Sequence, residues 1–380
     1  MKVLVLTAST GGGHDMRARA FQAWTRREAD LQLEAQLHRP MESCHGLYRF
    51  GVWLYNSIQR RAPRLHNIYF NYLEAAGMFR SADRLLGAQR FRAILEETKP
   101  DVLLSVHGAL NHGFFEYARN VLGRDRVRCV SWCDELHGGY GFSRHWVNPQ
   151  ADLFIGAVPE TCETAVRLGM PAGRTRVGGF LVRPDFYGPP LAIQTRGDLI
   201  RDQLGFDPEQ FILLLCASSR GAHNHVTFLE VLKQARVPTQ VIVLPGKTEE
   251  ARRRVENWLR ENPHQPVRLQ PHRTDVSLWM RCASAMVARP GTGTTHEAIL
   301  SGCPLLLNCL GGIMPQERIT VEYCRKHGLG GTIRRPQDLA QWLKRWVERP
   351  DELLAIRQQM RRIRPAVLPR EILNAVKGGA

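Results

Sequence analysis

Short apolar runs recur along the chain, and each is followed by a loop of small or polar residues and then by a stretch with helical periodicity. Such runs are typical of strands that are buried on both faces of a parallel sheet. The clearest runs lie at 2–6, 101–106, 127–132, 153–157, 211–217, 240–244, 285–288 and 304–308. Because these runs alternate with helical stretches, the chain is predicted to be an α/β protein with doubly wound sheets.

A stretch rich in glycine and proline separates the first four runs from the last four. It spans 178–192 and includes Gly188-Pro189-Pro190, a density that is typical of a linker or hinge. At roughly 100–200 residues per domain, the 380 residues also suggest two domains. We therefore predict Rossmann-like domains over 1–180 and 190–350, followed by a helical stretch within 351–380.

The chain is strongly basic, with 52 lysines and arginines against 36 acidic residues and a net charge of +16. This balance favours a negatively charged partner, namely a phosphate-bearing ligand, a nucleic acid or an anionic lipid. The nine cysteines include no Cys-x-x-Cys pair, which argues against a disulfide framework or a zinc ribbon and favours a cytoplasmic protein. No apolar run is long enough for a transmembrane helix, and the first run is too short for a signal peptide.

The first candidate site is the loop Thr10-Gly11-Gly12-Gly13-His14, between the first strand and a helix. Its glycines let a ligand approach the backbone closely, and the free amides of the helix start, at Gly12 and Gly13, suit an anionic donor. An imidazole at the carboxyl end of a parallel sheet can accept a proton at neutral pH, so His14 is a candidate general base. The alternative is a plain glycine turn with a helix-capping histidine.

The second candidate site is the segment 289–298, which follows the strand at 285–288 and leads into a helix. Glycines and hydroxyl residues at a helix N-terminus suit a diphosphate, because backbone amides, hydroxyls and the positive end of the dipole converge there. The residues assigned to donor binding are Gly291, Thr292, Gly293, Thr294, Thr295 and Glu297, with Glu297 placed to accept from vicinal hydroxyls. The alternative is a helix with an ordinary threonine cap.

Other polar residues lie at predicted strand ends or on loops. Gln316-Glu317 pairs an amide with a carboxylate that could grip sugar hydroxyls, although Pro-Gln-Glu also starts ordinary helices. Arg220, Gly246 and Arg273 are further donor-binding candidates. His107 and Asp134 follow strands, where ligands of such sheets bind; we assign His107 to the acceptor and Asp134 to catalysis. His223 and His225 lack further ligands at metal-site spacing, so we expect solvated loop histidines.

The segment 44–79 interrupts the first half with aromatic residues and an excess of arginine. Its aromatic residues are Tyr48, Phe50, Trp53, Tyr55, Tyr69, Phe70, Tyr72 and Phe79, interleaved with Arg49, Arg60, Arg61 and Arg64. Aromatic rings settle at the headgroup level of a membrane, and arginines attract anionic lipid. Trp53, Tyr55, Arg60, Arg61 and Tyr69 are therefore candidates for contact with an acceptor or an anionic membrane surface. The alternative is a helical excursion whose aromatic side chains form core.

Taken in order, these motifs resemble those of the monogalactosyldiacylglycerol synthase and processive diacylglycerol glucosyltransferase group, relatives of the peptidoglycan glycosyltransferase MurG. The resemblance covers nearly the whole chain. The matching residues are Gly11 to His14, Pro100, Asp101, Ser105, His107, Asp134, Gly179, Arg183, Pro184, Phe186, Glu297-Ala298 and Gln316-Glu317. Each motif is weak alone, and it is their order that makes the resemblance specific.

The resemblance implies a GT-B fold, in which two Rossmann-like domains face each other across a cleft, and a C-terminal helix that often crosses back to the first domain. It implies an inverting hexosyl transfer from a UDP-sugar to a diacylglycerol-type lipid at the cytoplasmic face of a membrane, with no metal and no other cofactor. In this scheme His14 is the base, the N-terminal domain takes the acceptor, and Gln316 and Glu317 contact the sugar. The sugar, the processivity and the oligomeric state stay open.

Two other functions remain on the sequence evidence. One is a UDP-sugar 2-epimerase, or a glycosyltransferase of the same fold with a different acceptor; an epimerase would need acid and base carboxylates in the cleft. The other is nucleic-acid binding, suggested by the charge of +16. We predict no nucleic-acid partner, because the basic residues are spread along the chain and no RNP-type or helix-turn-helix signature occurs.

Overall fold

The computed structural model describes residues 1–61, 65–76, 85–216, 224–246, 248–270, 275–366 and 369–378, with the side chains at 60, 61, 73, 75 and 76 excepted. The contacts divide the chain into two compact units. Unit 1 comprises Met1–Pro184, Met314–Ile319 and Pro365–Ala380, and unit 2 comprises Asp185–Ile313 and Thr320–Arg364.

The strands and helices alternate along most of the chain. The strands are β1 (Lys2–Leu6), β2 (Glu34–His38), β3 (Val102–Ser105), β4 (Arg128–Cys133), β5 (Leu153–Gly156), β6 (Thr175–Val177), β7 (Ile212–Cys216), β8 (Gln240–Leu244), β9 (Val267–Leu269), β10 (Ala285–Ala288), β11 (Leu305–Asn308) and β12 (Gly330–Ile333). The helices are α1 (Gly13–Arg27), α2 (Pro40–Ser43), α3 (Gly46–Arg61), α4 (His66–Ala76), α5 (Ala88–Thr98), α6 (Phe114–Leu122), α7 (Pro159–Arg167), α8 (Ile193–Leu204), α9 (His225–Ala235), α10 (Glu249–Glu261), α11 (Val276–Cys282), α12 (Thr292–Ser301), α13 (Pro315–Lys326), α14 (Pro336–Glu348), α15 (Pro350–Arg362) and α16 (Pro369–Lys377).

Unit 1 is built on a parallel sheet of six strands in the order β2-β1-β3-β4-β5-β6. Every residue of β3 and β5 is buried, because helices cover both faces of a sheet of this kind. The strand order reverses between β1 and β3, so the loops that follow these strands diverge and leave a crevice at their carboxyl ends. His14 follows β1 and His107 follows β3, which places both histidines at this crevice.

Unit 2 repeats the architecture with the strand order β12-β11-β10-β7-β8-β9, again all parallel. Its core packs Leu213, Val243, Val287 and Leu306 of the central strands against Trp258 and Trp346 of the covering helices. The order reverses between β7 and β10, so the loop after β10 leads from this second crevice into α12. Residues 217–223, which follow β7, lie outside the described part of the chain.

The eight predicted runs all form strands, and the structure adds four strands that the sequence did not reveal. These are β2, β6, β9 and β12, which are the outer strands of the two sheets. The C-terminal stretch forms two helices, because α15 ends at Arg362 and α16 begins at Pro369. α16 belongs to unit 1, where the Arg370 guanidinium pairs with Glu28 and Asp30 at the end of α1.

Candidate functional site

The glycine loop of unit 1 turns sharply before α1. Gly11 and Gly12 have φ values of 66° and 87°, a left-handed conformation that disfavours residues with a Cβ. The loop is also held by side chains from outside it. The amide oxygen of Asn56 accepts from the Gly11 N–H at 3.0 Å, its amide nitrogen donates to the Ser9 carbonyl at 3.0 Å, and Glu42 accepts from the Ser9 N–H at 2.6 Å. His14 therefore starts from a well-defined turn.

The imidazole of His14 has a defined tautomer. Its Nδ1 lies 2.8 Å from the carbonyl oxygen of Val106, the residue after β3. A carbonyl oxygen can only accept, so Nδ1 carries the proton and Nε2 carries the lone pair. Burial, together with the nearby His107 and Arg17, holds the pKa of His14 well below its usual range. The ring is thus uncharged at neutral pH and has one nitrogen able to accept a proton.

His107 has the opposite tautomer. Its Nδ1 accepts from the Ala109 N–H at 3.2 Å, so the proton is on Nε2, which donates to the Thr10 hydroxyl at 2.9 Å. Burial is the main cause that lowers the pKa of His107 to about 4. Its ring centroid lies 4.3 Å from that of His14. His107 therefore supports the glycine loop, and both of its nitrogens are engaged.

Asp134 lies behind His14 in a buried ion pair. The Arg17 Nε donates to one carboxylate oxygen at 2.9 Å, and the Leu181 N–H donates to the other at 3.2 Å. The side chains of Arg17 and Asp134 are nearly inaccessible to solvent. Arg17 lies one turn beyond His14 on α1, so it connects Asp134 to the candidate base. The catalytic role of Asp134 stays a prediction.

The helices α3 and α4, together with Leu65 just before α4, carry an exposed apolar face. Its members are Leu47, Phe50, Trp53, Leu65, Ile68 and Tyr72. Phe50 and Trp53 are 53% and 55% exposed, and their rings stack at 5.5 Å. We call this set the α3–α4 apolar face. Tyr48 and Phe70 are buried, so the aromatic residues of the insertion divide between core and surface.

The other insertion candidates do not lie on that face. The Tyr55 ring packs edge-on against His66 at 4.5 Å, and burial raises the pKa of the Tyr55 hydroxyl. Tyr69 is partly buried and its hydroxyl donates to the Gly51 carbonyl at 3.5 Å. The side chains of Arg60 and Arg61 lie outside the described part of the structure.

In unit 2, α12 begins just after the carboxyl end of β10. Gly291 is its N-cap, and a Cβ at Gly291 or Gly293 would meet no atom within 4 Å among the described residues, apart from chain neighbours and the helix's own backbone. Thr292 and Thr295 are buried, whereas Thr294 and Glu297 are partly exposed. The first turn therefore presents backbone amides and the Thr294 side chain beside open space.

Arg289 begins the segment 289–298, and its sequence pattern gave it no role. Its guanidinium donates to the carbonyls of Leu310 at 3.1 Å and of Gly312 at 2.9 Å. It thereby ties the loop after β11 to the segment that precedes α12. Gly311 and Gly312 have φ values of 76° and 97°, so this loop needs glycine. The available signal was an arginine directly after a buried strand.

The predicted sugar-contacting pair begins α13. Glu317 is buried, and its carboxylate accepts from the Met314 N–H at 2.8 Å, as expected at a helix start. The amide oxygen of Gln316 is buried without a hydrogen-bond partner. A Cβ at Gly141, whose φ is 107°, would collide with the Pro315 carbonyl, so the loop around Gly141 lies directly against this segment.

The remaining candidates have different outcomes. Gly246 has a φ of 79° just after β8, where a tight turn begins. Arg220, His223 and Arg273 lie outside the described residues. The expectation for His225 was wrong: it is 5% exposed in the first turn of α9, because the helix begins earlier than the loop-like sequence suggested.

The described part of the chain has neither a metal-binding cluster nor a membrane-spanning helix. No three or more His, Cys, Asp or Glu side chains there are grouped so that they could hold a metal ion. No helix in the same residues combines the length and the apolar character needed to cross a bilayer.

Solved structures of other proteins share this architecture over the full chain. MurG of Acinetobacter baumannii aligns with a TM-score of 0.62 and 14% identity over 99% of both chains. HepE of Anabaena, solved in complex with UDP, aligns with a TM-score of 0.58 and 15% identity over 100% of both. The chain has the GT-B fold. The GT-B assignment confirms the two parallel α/β sheets that the sequence predicted.

Curated proteins confirm the resemblance stated from the motifs, although no protein-family model matches the chain. Monogalactosyldiacylglycerol synthase 2 of Arabidopsis thaliana is 24% identical over 99% of this GT-B chain and 79% of its own length. The probable synthase 2 of Oryza sativa subsp. japonica is 23% identical over 90% of this chain and 73% of its own. The likeness therefore extends across both units.

Proposed function

We propose that the chain is an inverting glycosyltransferase that moves a hexose from a UDP-sugar to the hydroxyl of a diacylglycerol-type lipid. The observation that carries this proposal is the uncharged His14, whose Nε2 lone pair lies at the crevice of a GT-B N-terminal unit. Similarity to monogalactosyldiacylglycerol synthases over most of the chain supports the lipid acceptor. Structural similarity to a UDP complex supports the donor.

In the proposed reaction, His14 acts as the general base. Its Nε2 takes the proton of the acceptor hydroxyl while the hydroxyl oxygen attacks the anomeric carbon. The bond from that carbon to the UDP oxygen breaks, and UDP leaves with the bonding electron pair. The Val106 carbonyl accepts from the Nδ1–H of the imidazolium that forms. This hydrogen bond stabilises the positive charge and fixes the orientation of the ring.

The leaving diphosphate would bind at the N-terminus of α12. The backbone amides of the first turn and the positive end of the helix dipole stabilise negative charge there. Because the site is preformed, this stabilisation grows as charge develops on the leaving group. Gly291, Thr292, Gly293, Thr294, Thr295 and Glu297 supply it in this scheme, and the orphaned Gln316 oxygen receives a sugar hydroxyl.

The α3–α4 apolar face would contact the membrane surface. Stacked aromatic rings such as Phe50 and Trp53 prefer the headgroup region, where one edge is apolar and the other is wet. The net charge of +16 attracts anionic lipid, and each basic residue near the surface contributes about 1 kcal/mol. We therefore propose peripheral binding at the cytoplasmic face of a membrane, with the acceptor entering unit 1 from the lipid.

The first experiment is a radiolabelled transfer assay. Purified protein is offered UDP-galactose, UDP-glucose and UDP-N-acetylglucosamine in turn, with diacylglycerol in anionic mixed micelles. Label that enters the lipid phase with one donor would establish the reaction class, the sugar and the acceptor together. UDP binding without transfer from any donor would reject the diacylglycerol acceptor and favour another acceptor or an epimerase.

Membrane binding is tested separately by cosedimentation with anionic liposomes. Charge reversal at Arg60, Arg61 and Arg64 should reduce the bound fraction, since these residues belong to the basic insertion. Binding that is unaffected by these changes would count against the electrostatic part of the proposal.

A further inference from the structure

The insertion that bears the α3–α4 apolar face also makes polar contacts with the loops around His14. On α3, the exposed residues Leu47, Phe50 and Trp53 recur every three positions, and Asn56 is the next residue in that series. Asn56 is turned toward the protein, where it bridges Ser9 and Gly11. One helix therefore connects the apolar surface to the turn that begins α1.

The Asn56 bridge is well suited to hold the glycine loop. Its amide satisfies one backbone donor and one backbone acceptor, both at 3.0 Å, because a carboxamide carries an acceptor oxygen and a donor nitrogen side by side. Gly11 has a left-handed φ of 66°. A glycine turn that no side chain holds has many accessible conformations. The two hydrogen bonds of Asn56 therefore restrict the turn to the conformation that orients His14.

A second contact runs from α4 to the other side of His14. The Glu74 carboxylate accepts from the Ser143 hydroxyl and from the Arg144 N–H, the latter at 3.0 Å. These residues begin the turn that carries Trp146. The Trp146 ring is buried, packs 3.4 Å from the position of a Cβ on Gly108, and lies 6.0 Å from the His14 ring.

We propose that Asn56 and Glu74 are positioning residues, through which the two helices of the α3–α4 apolar face hold the loops on either side of His14. This inference rests on the proposed function, because it assigns these side chains to the orientation of the base. Neither residue needs to touch the acceptor or the donor. Through Asn56, α3 orients the turn before His14. Through Glu74, α4 orients Trp146, whose ring lies beside His14.

The inference predicts a loss of turnover without a loss of donor binding. In Asn56→Ala, kcat should fall on the order of 10- to 100-fold, since misplacement of a reacting group by about 1 Å can cost a factor of that size. KM for the UDP-sugar should stay unchanged. Asn56→Asp keeps the acceptor for the Gly11 N–H and should fall between the wild type and Asn56→Ala. Glu74→Ala should lower kcat in the same way.

Matched controls exist on neighbouring surfaces. Gln59→Leu removes an amide that lies one turn farther along α3, whose oxygen sits 3.5 Å from the Cβ position of Gly11 without making a hydrogen bond. Glu96→Ala removes a carboxylate of α5 that pairs only on the surface with Arg92 at 2.8 Å. Both controls should retain the wild-type kcat.

Hydrogen exchange makes the test independent of transferase activity. Without substrate, Asn56→Ala should speed amide exchange in the peptide covering 9–14, and Glu74→Ala should do so in the peptide covering 143–147. The urea midpoint of each variant shows whether the fold persists, and Asn56→Asp serves if the alanine variant unfolds. Faster loop exchange together with lower kcat supports the proposal. Unchanged amide exchange in these loops overturns the proposal. Faster exchange in a variant whose kcat equals that of the control variants also overturns it.

If the wild type transfers no sugar, the proposed function fails, and the link is then judged by the exchange rates and by the reactivity of His14 toward diethyl pyrocarbonate. A reactivity that Asn56→Ala leaves unchanged overturns the link as well.

Discussion

The guanidinium of Arg17 lies 3.4 Å from the Nδ1 of His14, measured from its Nη1. Because that Nδ1 already donates to the Val106 carbonyl, the contact is electrostatic, and the positive charge opposes a second proton on the ring. The Nε of the same guanidinium is paired with Asp134. Burial is the main cause that keeps His14 uncharged, and His107 and Arg17 add to it. Asp134 compensates the buried Arg17 cation, which would otherwise be costly.

Removal of the imidazole should abolish most of the turnover and little of the donor binding. His14→Ala is expected to lower kcat by about 10²- to 10⁴-fold, which is the usual contribution of a general base. Isothermal titration with UDP should give a Kd near that of the wild type, because the proposed UDP site is built from unit 2. An equal loss of UDP affinity would refute the assignment of His14 as the base.

The pH profile should reveal the effect of Arg17. Since the pKa of His14 is lowered, its neutral form persists as the pH falls below 6.5, so the acidic limb of kcat/KM should lie below that value. Arg17→Gln removes a positive neighbour and should move the limb to higher pH. Arg17→Lys keeps the charge and should leave the limb near its wild-type position. A limb that is identical in all three proteins would contradict this account.

The charge of the diphosphate can be tested at Gly293. A Cβ there would meet no atom within 4 Å from other elements of the described structure, and aspartate is favourable in the first turn of a helix. Gly293→Asp should therefore keep α12 intact but repel UDP, while the isosteric Gly293→Asn should not repel it. We expect UDP to bind the Gly293→Asp variant about tenfold more weakly than the Gly293→Asn variant, a difference of about 1.4 kcal/mol in binding free energy. Equal affinities of the two variants would argue against a phosphate at this helix end.

The α3–α4 apolar face should govern membrane binding without contributing much to stability. Phe50 and Trp53 are each more than half exposed, so replacing both by serine removes little buried area. The double variant should bind anionic vesicles more weakly in a cosedimentation assay and retain its urea midpoint. Ile193→Ser, at a residue that is 92% exposed on α8, is the control. Unchanged vesicle binding by the double variant would exclude the two rings from the contact.

The buried His66 should make the protein sensitive to acid. Its side chain is 1% exposed and packs against the Tyr55 ring, and burial lowers its pKa from 6.5 to about 4. Between these two values the unfolded chain binds more protons than the folded one, so the free energy of unfolding falls as the pH falls. The loss attributable to His66 is on the order of 3 kcal/mol.

His66→Phe keeps the aromatic contact with Tyr55 and removes the titrating group. Urea unfolding at pH 7.5 and at pH 4.5 should therefore show a smaller difference in stability for His66→Phe than for the wild type. The same difference in both proteins would assign the acid sensitivity to other groups.

The central strands could be predicted because helices cover both of their faces, which leaves a continuous apolar run in the sequence. The outer strands lack that signature. Every residue of β2 is at least partly exposed, and β6 has the alternation of a half-covered edge. β12 contains Gly330-Gly331, and a pair of glycines is more typical of a turn than of a strand. An edge strand is defined by its pairing with the neighbouring strand rather than by an apolar run of its own.

The candidate site divides in a similar way. Local motifs revealed His14 and the α12 N-terminus, since a strand, a glycine loop and a helix form one continuous segment. The contacts that tune the base join residues that are far apart: Arg17 to Asp134 across 117 positions and Gly11 to Asn56 across 45. No spacing rule predicts such pairs, so the sequence placed Asp134 near the site but did not show its partner.

The sequence alone determined the class of sheet and the two glycine-containing strand ends, because both follow from short-range patterns of apolar and glycine residues. Only the tertiary structure decided how those parts act on one another. The tautomer of His14 depends on the Val106 carbonyl 92 positions away, and its charge state depends on Arg17 and on burial. Hydrogen bonds and electrostatic fields act through space, and it is the packing of β1 beside β3 that brings these groups within reach.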